Sequence, residues 1–197
     1  MIVRPDTEAE IRPDTEENVV NQTDGIFRSF VTNMYVHDRL SSTADESPRF
    51  GELMLGAPEN PLSRASEIGR RLAQIGDTVN ERYSSEFNEM IKMLNPTPET
   101  AFEAFSNVAE RLFRDGTIHW GRVLTLLCFG YRLAVAVLSR GIRGFFIKII
   151  EYLIKYITIS KIAQWIANQG GWVSSFLIGC RVGVWVTRVV LIDWLVR

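Results

Sequence analysis

The chain has 197 residues, enough for one domain with a sizeable core, and 46 % of it is apolar. Its formal net charge of −1 conceals a division: residues 1–118 carry 12 Lys and Arg against 21 Asp and Glu, residues 119–197 carry 10 against 2, and the basic part is also the apolar part. Bases scattered singly among Leu, Ile, Val and Phe argue against a nucleic-acid surface and for a membrane partner, while two cysteines in apolar surroundings, Cys128 and Cys180, and two isolated histidines, His37 and His119, exclude a disulfide framework and a zinc or iron site.

Residues 1–20 are acidic, contain Pro5 and Pro13 and show no period, so they read as a disordered lead. No apolar stretch follows the N-terminus, so no signal peptide is expected. From Thr23, the residues Phe27, Phe30, Val31, Met34 and Tyr35 mark one face of a helix that Thr23 or Asp24 is placed to cap. Residues 41–61 carry the Ser, Pro and Gly content of a long loop. A second helix starts after Pro61 with Ser63 as its cap and runs to about Tyr83, and "SSEFNEMIKML" forms a short amphipathic piece after it. Pro96 and Pro98 break the chain, and the next helix spans Thr97 to Arg114 with Phe102, Phe105, Ala109, Leu112 and Phe113 inward and Gly116 left-handed beyond its end.

Residues 123–138, "VLTLLCFGYRLAVAVL", are apolar on every side apart from Arg132. Sixteen residues at about 1.5 Å each reach roughly 24 Å, short of a hydrocarbon layer of roughly 30 Å, so the segment reads as a buried central helix. In "FFIKIIEYLIKYITI" at 145–159, Lys148, Glu151 and Lys155 make one polar stripe on an otherwise apolar helix. The pair is an αα-hairpin suited either to a core or to a bilayer. Amphipathic helices and no convincing strand predict an all-α domain over residues 21–172, a bundle of about eight or nine helices around the apolar central one.

Three motifs carry a resemblance. "LAQIGDTVNERY" at 72–83, "LFRDGTIHWGRV" at 112–123 and "WIANQGGW" at 165–172 resemble the third, first and second homology motifs of the Bcl-2 family of apoptosis regulators, in the family's order and at compatible spacings. "TDGIFRSF", "RYSSEF" and "FGYRLAVAV" bring the match nearest to that family's pore-forming effectors. The resemblance implies a helical fold with a surface hydrophobic groove. In the third-motif helix, Ile68, Leu72, Ile75 and Val79 fall on one stripe, spaced to dock in such a groove. Gly76 costs the helix roughly 1 kcal/mol relative to Ala and lets a groove wall approach the backbone. Asp77 lies far from the stripe on an ideal wheel, which makes it solvent-facing; the resemblance instead pairs it with Arg122. Trp120, Gly121 and Arg122 are implied groove residues, Arg122 offering a planar fork for a carboxylate, and His119 stands where the family usually has Asn. Trp165 and Trp172 close the bottom of the core, with Gly170 and Gly171 turning the chain.

Residues 173–197 occupy the place of the family's C-terminal membrane anchor. Thirteen Leu, Ile, Val and Phe there favour insertion by roughly 4 to 8 kcal/mol, whereas Arg181, Arg188 and Asp193 cost about 2.5 to 3.5 kcal/mol each if central. The sum is near zero, and a groove-docked or surface helix stays open beside a span. The resemblance implies an effector that permeabilises the mitochondrial outer membrane. Its partners are then itself, pro-apoptotic helix ligands, prosurvival family members and membrane lipid, with the globular domain facing the cytosol and a cytosolic pool left open. A prosurvival guardian that sequesters such helices is the alternative. No phosphate loop, nucleophile elbow or partnered histidine occurs, so no enzyme, catalytic residue, cofactor or metal is expected.

Overall fold

The computed structural model describes residues 13–41, 60, 62–97, 99–139 and 145–178. Among these residues there are seven α-helices, one 3-10 helix and no strand, against the eight or nine helices expected. They are α1 (Glu16–Ser41), α2 (Arg64–Arg82), α3 (Ser84–Leu94), α4 (Ala101–Leu112), α5 (Trp120–Ser139), α6 (Phe145–Ile159), α7 (Ile162–Asn168) and the 3-10 helix η1 (Trp172–Ile178). Most of the predicted loop at 41–61, the turn at 140–144, and the tail with Cys180, Arg181, Arg188 and Asp193 lie outside the described residues.

Helix α1 begins at Glu16, earlier than the Thr23 or Asp24 cap expected and inside the stretch read as a lead. Its start is built by polar groups that a search for apolar period passes over. Thr15 Oγ1 accepts from Asn18 N at 3.1 Å, and Glu16 and Glu17 sit in the first turn against the helix dipole. Asp14 N donates to Ala167 O at 2.9 Å, which ties this end to α7. Thr23 is instead mid-helix, its hydroxyl donating to Val19 O at 2.7 Å.

Ser63 caps α2 as expected, accepting from Ser66 N at 3.1 Å. Helix α4 is shorter than the 97–114 span expected. Thr97 and Thr100 form a reciprocal turn in front of it, Thr97 N donating to Thr100 Oγ1 at 3.0 Å and Thr100 N to Thr97 Oγ1 at 3.3 Å. Of the face predicted inward, Phe105, Ala109 and Leu112 are buried, while Phe102 and Phe113 are half-buried. Phe102 packs its ring on Tyr152 with centroids 4.6 Å apart.

Helix α5 is the axis. Trp120–Leu138 is long and apolar enough to cross a membrane, yet 78 % of its window is buried inside the bundle, so in the closed chain it is a core helix. Helix α6 buries Ile149, Ile150, Leu153 and Ile157 and leaves Lys148, Glu151 and Lys155 exposed, as the polar stripe predicted. The most extensive helix pairing joins α1 to α2.

Candidate functional site

Helix α2 turns its apolar stripe inward: Ile68, Leu72 and Val79 are buried and Ile75 is half-buried. Gly76 answers to α1. A Cβ there would lie 2.9 Å from the Phe30 ring and 3.3 Å from Met34 Sδ. Nearer the start of the helix, Gly69 is closer still, since its Cβ would meet Ile26 O at 2.4 Å and Ser29 Cβ at 2.6 Å. In the closed chain, therefore, the close approach these glycines permit is between α1 and α2, not to a groove wall. Small residues four apart on both helices, Gly25 and Ser29 on α1 and Ala65, Gly69 and Ala73 on α2, were the sequence signal for this seam. Ser29 Oγ adds a bond to Ser66 O at 2.8 Å.

Asp77 is not solvent-facing. Its side chain is 17 % exposed and sits beside His37 of α1, with Nδ1 and Oδ1 3.4 Å apart, and Oδ1 has no hydrogen-bond partner. Burial pushes its carboxyl up to about 6; His37 opposes the shift, and Asp38 and Glu81 reinforce it. Around it lies a polar cluster that periodicity did not single out. Asn80 Nδ2 donates to Asp38 Oδ1 at 3.3 Å, Tyr131 Oη to Asp38 Oδ2 at 2.5 Å, and Arg132 Nε to Asn80 Oδ1 at 2.5 Å. Three helices, α1, α2 and α5, are thereby joined at one end of the bundle. The signal available in advance was Arg132, the one charge in the apolar run 123–138: a charge drawn partly out of water needs a partner. Cys128 is buried as a free thiol directed to Gly76 O at 3.8 Å.

The Asp77–Arg122 pair implied by the resemblance is not formed within the chain. Arg122 instead holds Asp115 in a two-pronged contact, Nη1 on Oδ1 and Nη2 on Oδ2, the latter at 2.8 Å, and Nη1 also donates to Thr117 O at 2.7 Å. Its Nε is buried without a partner. The reason is local: Asp115 is seven residues upstream on the loop that ends at α5, and it is fixed there by accepting from Thr117 N at 2.9 Å. The guanidinium, with the Thr117 amide, holds the Asp115 carboxyl well below the usual carboxylate range. His119 takes over the cap position of α5, its Nδ1 accepting from Arg122 N at 3.3 Å. Burial, then the Arg122 charge, holds this imidazole below its ordinary range and so in the neutral form that can accept.

Trp120 is set between the two tryptophans of the second motif, with centroids 5.3 Å from Trp165 and 5.8 Å from Trp172. Trp172 is buried and donates Nε1–H to Val19 O at 3.1 Å. Gly170 and Gly171 turn the chain between α7 and η1, and at Gly171 (φ +76°) a Cβ would strike Asp14 at 2.3 Å. Gly121 contributes its carbonyl to Thr125 Oγ1 at 2.9 Å. Leu94, Asn107, Val108, Glu110, Arg111 and Arg114 line a surface cavity of about 480 Å³ between α3 and α4.

Residues 72–172 match the family described as "Apoptosis regulator proteins, Bcl-2 family". The human "Bcl-2 homologous antagonist/killer" is 40 % identical over 165 residues, 84 % of this chain and 77 % of that protein. Chicken "Bcl-2-like protein 1" is 29 % identical over 164 residues, 80 % of this chain and 69 % of that protein. Among solved structures, chicken BOK superposes with a TM-score of 0.64 at 19 % identity, covering 85 % of this chain and 99 % of that one. Trichoplax adhaerens trBcl-2L2, solved with trBak BH3 bound, gives 0.63 at 22 % identity, covering 82 % and 99 %.

Proposed function

This chain belongs to the Bcl-2 family of apoptosis regulators, and from that premise we propose that it is a pro-apoptotic effector that permeabilises the mitochondrial outer membrane. An activating helix ligand loosens α2 from its place between α1 and α5. Ile68, Leu72, Ile75 and Val79 then dock in the groove of a second copy, beside the partner's Arg122, and Asp77 meets that guanidinium. The α5–α6 hairpin engages lipid, and residues 173–197 hold the protein to the bilayer with its globular domain in the cytosol. Homodimers assemble into pores, and prosurvival family members bind the same helix and restrain them.

The observation that carries the reading is an unsatisfied carboxylate oxygen within α2. Asp77 Oδ1 lacks a hydrogen-bond donor in the closed chain, with only His37 Nδ1 nearby at 3.4 Å, so its carboxylate gains a charge-assisted partner when it reaches a guanidinium. Identity of 40 % to a relative named antagonist/killer supports the effector sense. Energetics permit the exchange. Exposing Ile68, Leu72 and Val79 costs roughly 1.5–3 kcal/mol each, about 5–9 kcal/mol together. Most of that returns when the same side chains enter a partner's groove, which leaves a difference of the few kcal/mol that a ligand supplies.

Trapped-dye release from cardiolipin-containing liposomes, with and without an activating helix peptide, tests the proposal. Peptide-dependent release is expected. The guardian reading, favoured by the 29 % identity to Bcl-2-like protein 1, predicts no release and suppression of release by another effector; that result would reverse the assignment.

A further inference from the structure

We propose that Asp115 is a built-in occupant of the Arg122 fork, which an incoming third-motif helix displaces in order to dock, so that Asp115 sets how tightly the site takes its ligand. The inference rests on the effector reading only for the nature of the ligand. Its basis is the unequal access to the two edges of one guanidinium. The Arg122 side chain is 9 % exposed and that of Asp115 is 57 % exposed. The Nε edge is enclosed and has no partner, whereas the Nη1 and Nη2 edge carries both oxygens of Asp115. A carboxylate arriving from solvent therefore meets the arginine on the face that Asp115 covers.

The occupant is also local. It is held by the Thr117 amide within the same short loop. Departure of α2 leaves it where it is, and the incoming helix competes with a carboxylate of the same chemistry at high effective concentration. If Asp115 instead served only to orient the guanidinium, its removal would weaken docking. The two roles thus predict opposite signs.

The test titrates the 197-residue protein with two labelled peptides, one of its own residues 62–84 and one of the same span carrying the Asp77→Asn change. Asp115→Asn keeps an oxygen for the Thr117 amide and removes the charge; Asp115→Ser does so with a different shape, and thermal melts verify that both are folded. The proposal predicts that both variants bind the unmodified peptide roughly three- to tenfold more tightly than the wild type, with no gain for the peptide that lacks the Asp77 carboxylate. Equal or weaker binding of the unmodified peptide overturns the proposal alone, as does a gain shared by both peptides, which would mark a loosened loop. No binding by any form overturns the groove reading and this proposal with it.

Discussion

Asp77 ends up in a place where burial and two like-charged neighbours oppose its ionisation. A carboxyl raised from 3.8 to about 6 adds stability that is complete below about pH 3.8 and lost as pH rises through about 6. At neutral pH the charged form therefore weakens the closed bundle. Asp77→Asn is expected to raise the melting temperature at pH 7, by roughly 2–4 °C, and to flatten the stability profile between pH 4 and 6, as read by thermal melts across that range. Gly69 and Gly76 invite a second comparison. An Ala at 69 would press on the backbone of α1, an overpacking cost of roughly 1–3 kcal/mol that exceeds the roughly 1 kcal/mol of helix propensity gained. An Ala at 76 presses only on side-chain atoms, the Phe30 ring edge and the Met34 sulfur, which can shift, so Gly69→Ala should lower the melting temperature clearly and Gly76→Ala much less. The helix wheel placed the four aliphatic residues of α2 on one face but misjudged Asp77. Exposure there depends on the last turns of α1, and no period within α2 reports on a neighbouring helix.

Among elements, the boundaries that sequence misjudged are those made by polar capping. Helix α1 gains two turns from Thr15, Glu16 and Glu17, and α4 loses its ends to the Thr97–Thr100 turn and to the loop that positions Asp115. Apolar periodicity located the middle of every helix it was applied to, because burial acts on the middle; ends are set by single hydrogen bonds. The start of α5 is the case with consequences for the site. His119→Ala should cost about 1 kcal/mol of stability at pH 7.5, while His119→Asn should retain most of it. The imidazole has a depressed folded value, so its contribution is present above the ordinary histidine range and lost as pH falls through that folded value. The Asn variant should lose this acid sensitivity, which denaturant unfolding at pH 7.5 and 5 will detect.

For the whole molecule, the all-α class, the buried central helix and the family were legible in the chain, because each is written in patterns many residues long. What sequence did not reveal is how the closed state is held: the small-residue seam between α1 and α2, the cluster of Asp38, Asn80, Tyr131 and Arg132, and the arginine already occupied by Asp115. These are pairings between residues that are distant in sequence or individually ordinary. They also decide how function can be tested. Gly76→Glu would collide with Phe30 and Met34 in the resting chain, so loss of self-association in that variant would not separate a blocked groove from a broken fold. A tether is cleaner. A Cβ at Gly25 lies 3.3 Å from Ala65 Cβ, close to the roughly 3.5–4.5 Å of a disulfide, so Gly25→Cys with Ala65→Cys should lock α1 to α2.

The central claim is that α2 must leave α1 before the membrane can be breached. In a Cys128→Ser, Cys180→Ser background, the oxidised Gly25→Cys/Ala65→Cys protein should release no dye from cardiolipin-containing liposomes in the presence of an activating helix peptide, and a thiol reductant should restore release to the level of the untethered protein. Release by the oxidised, fully cross-linked protein equal to that of the reduced protein would contradict the account.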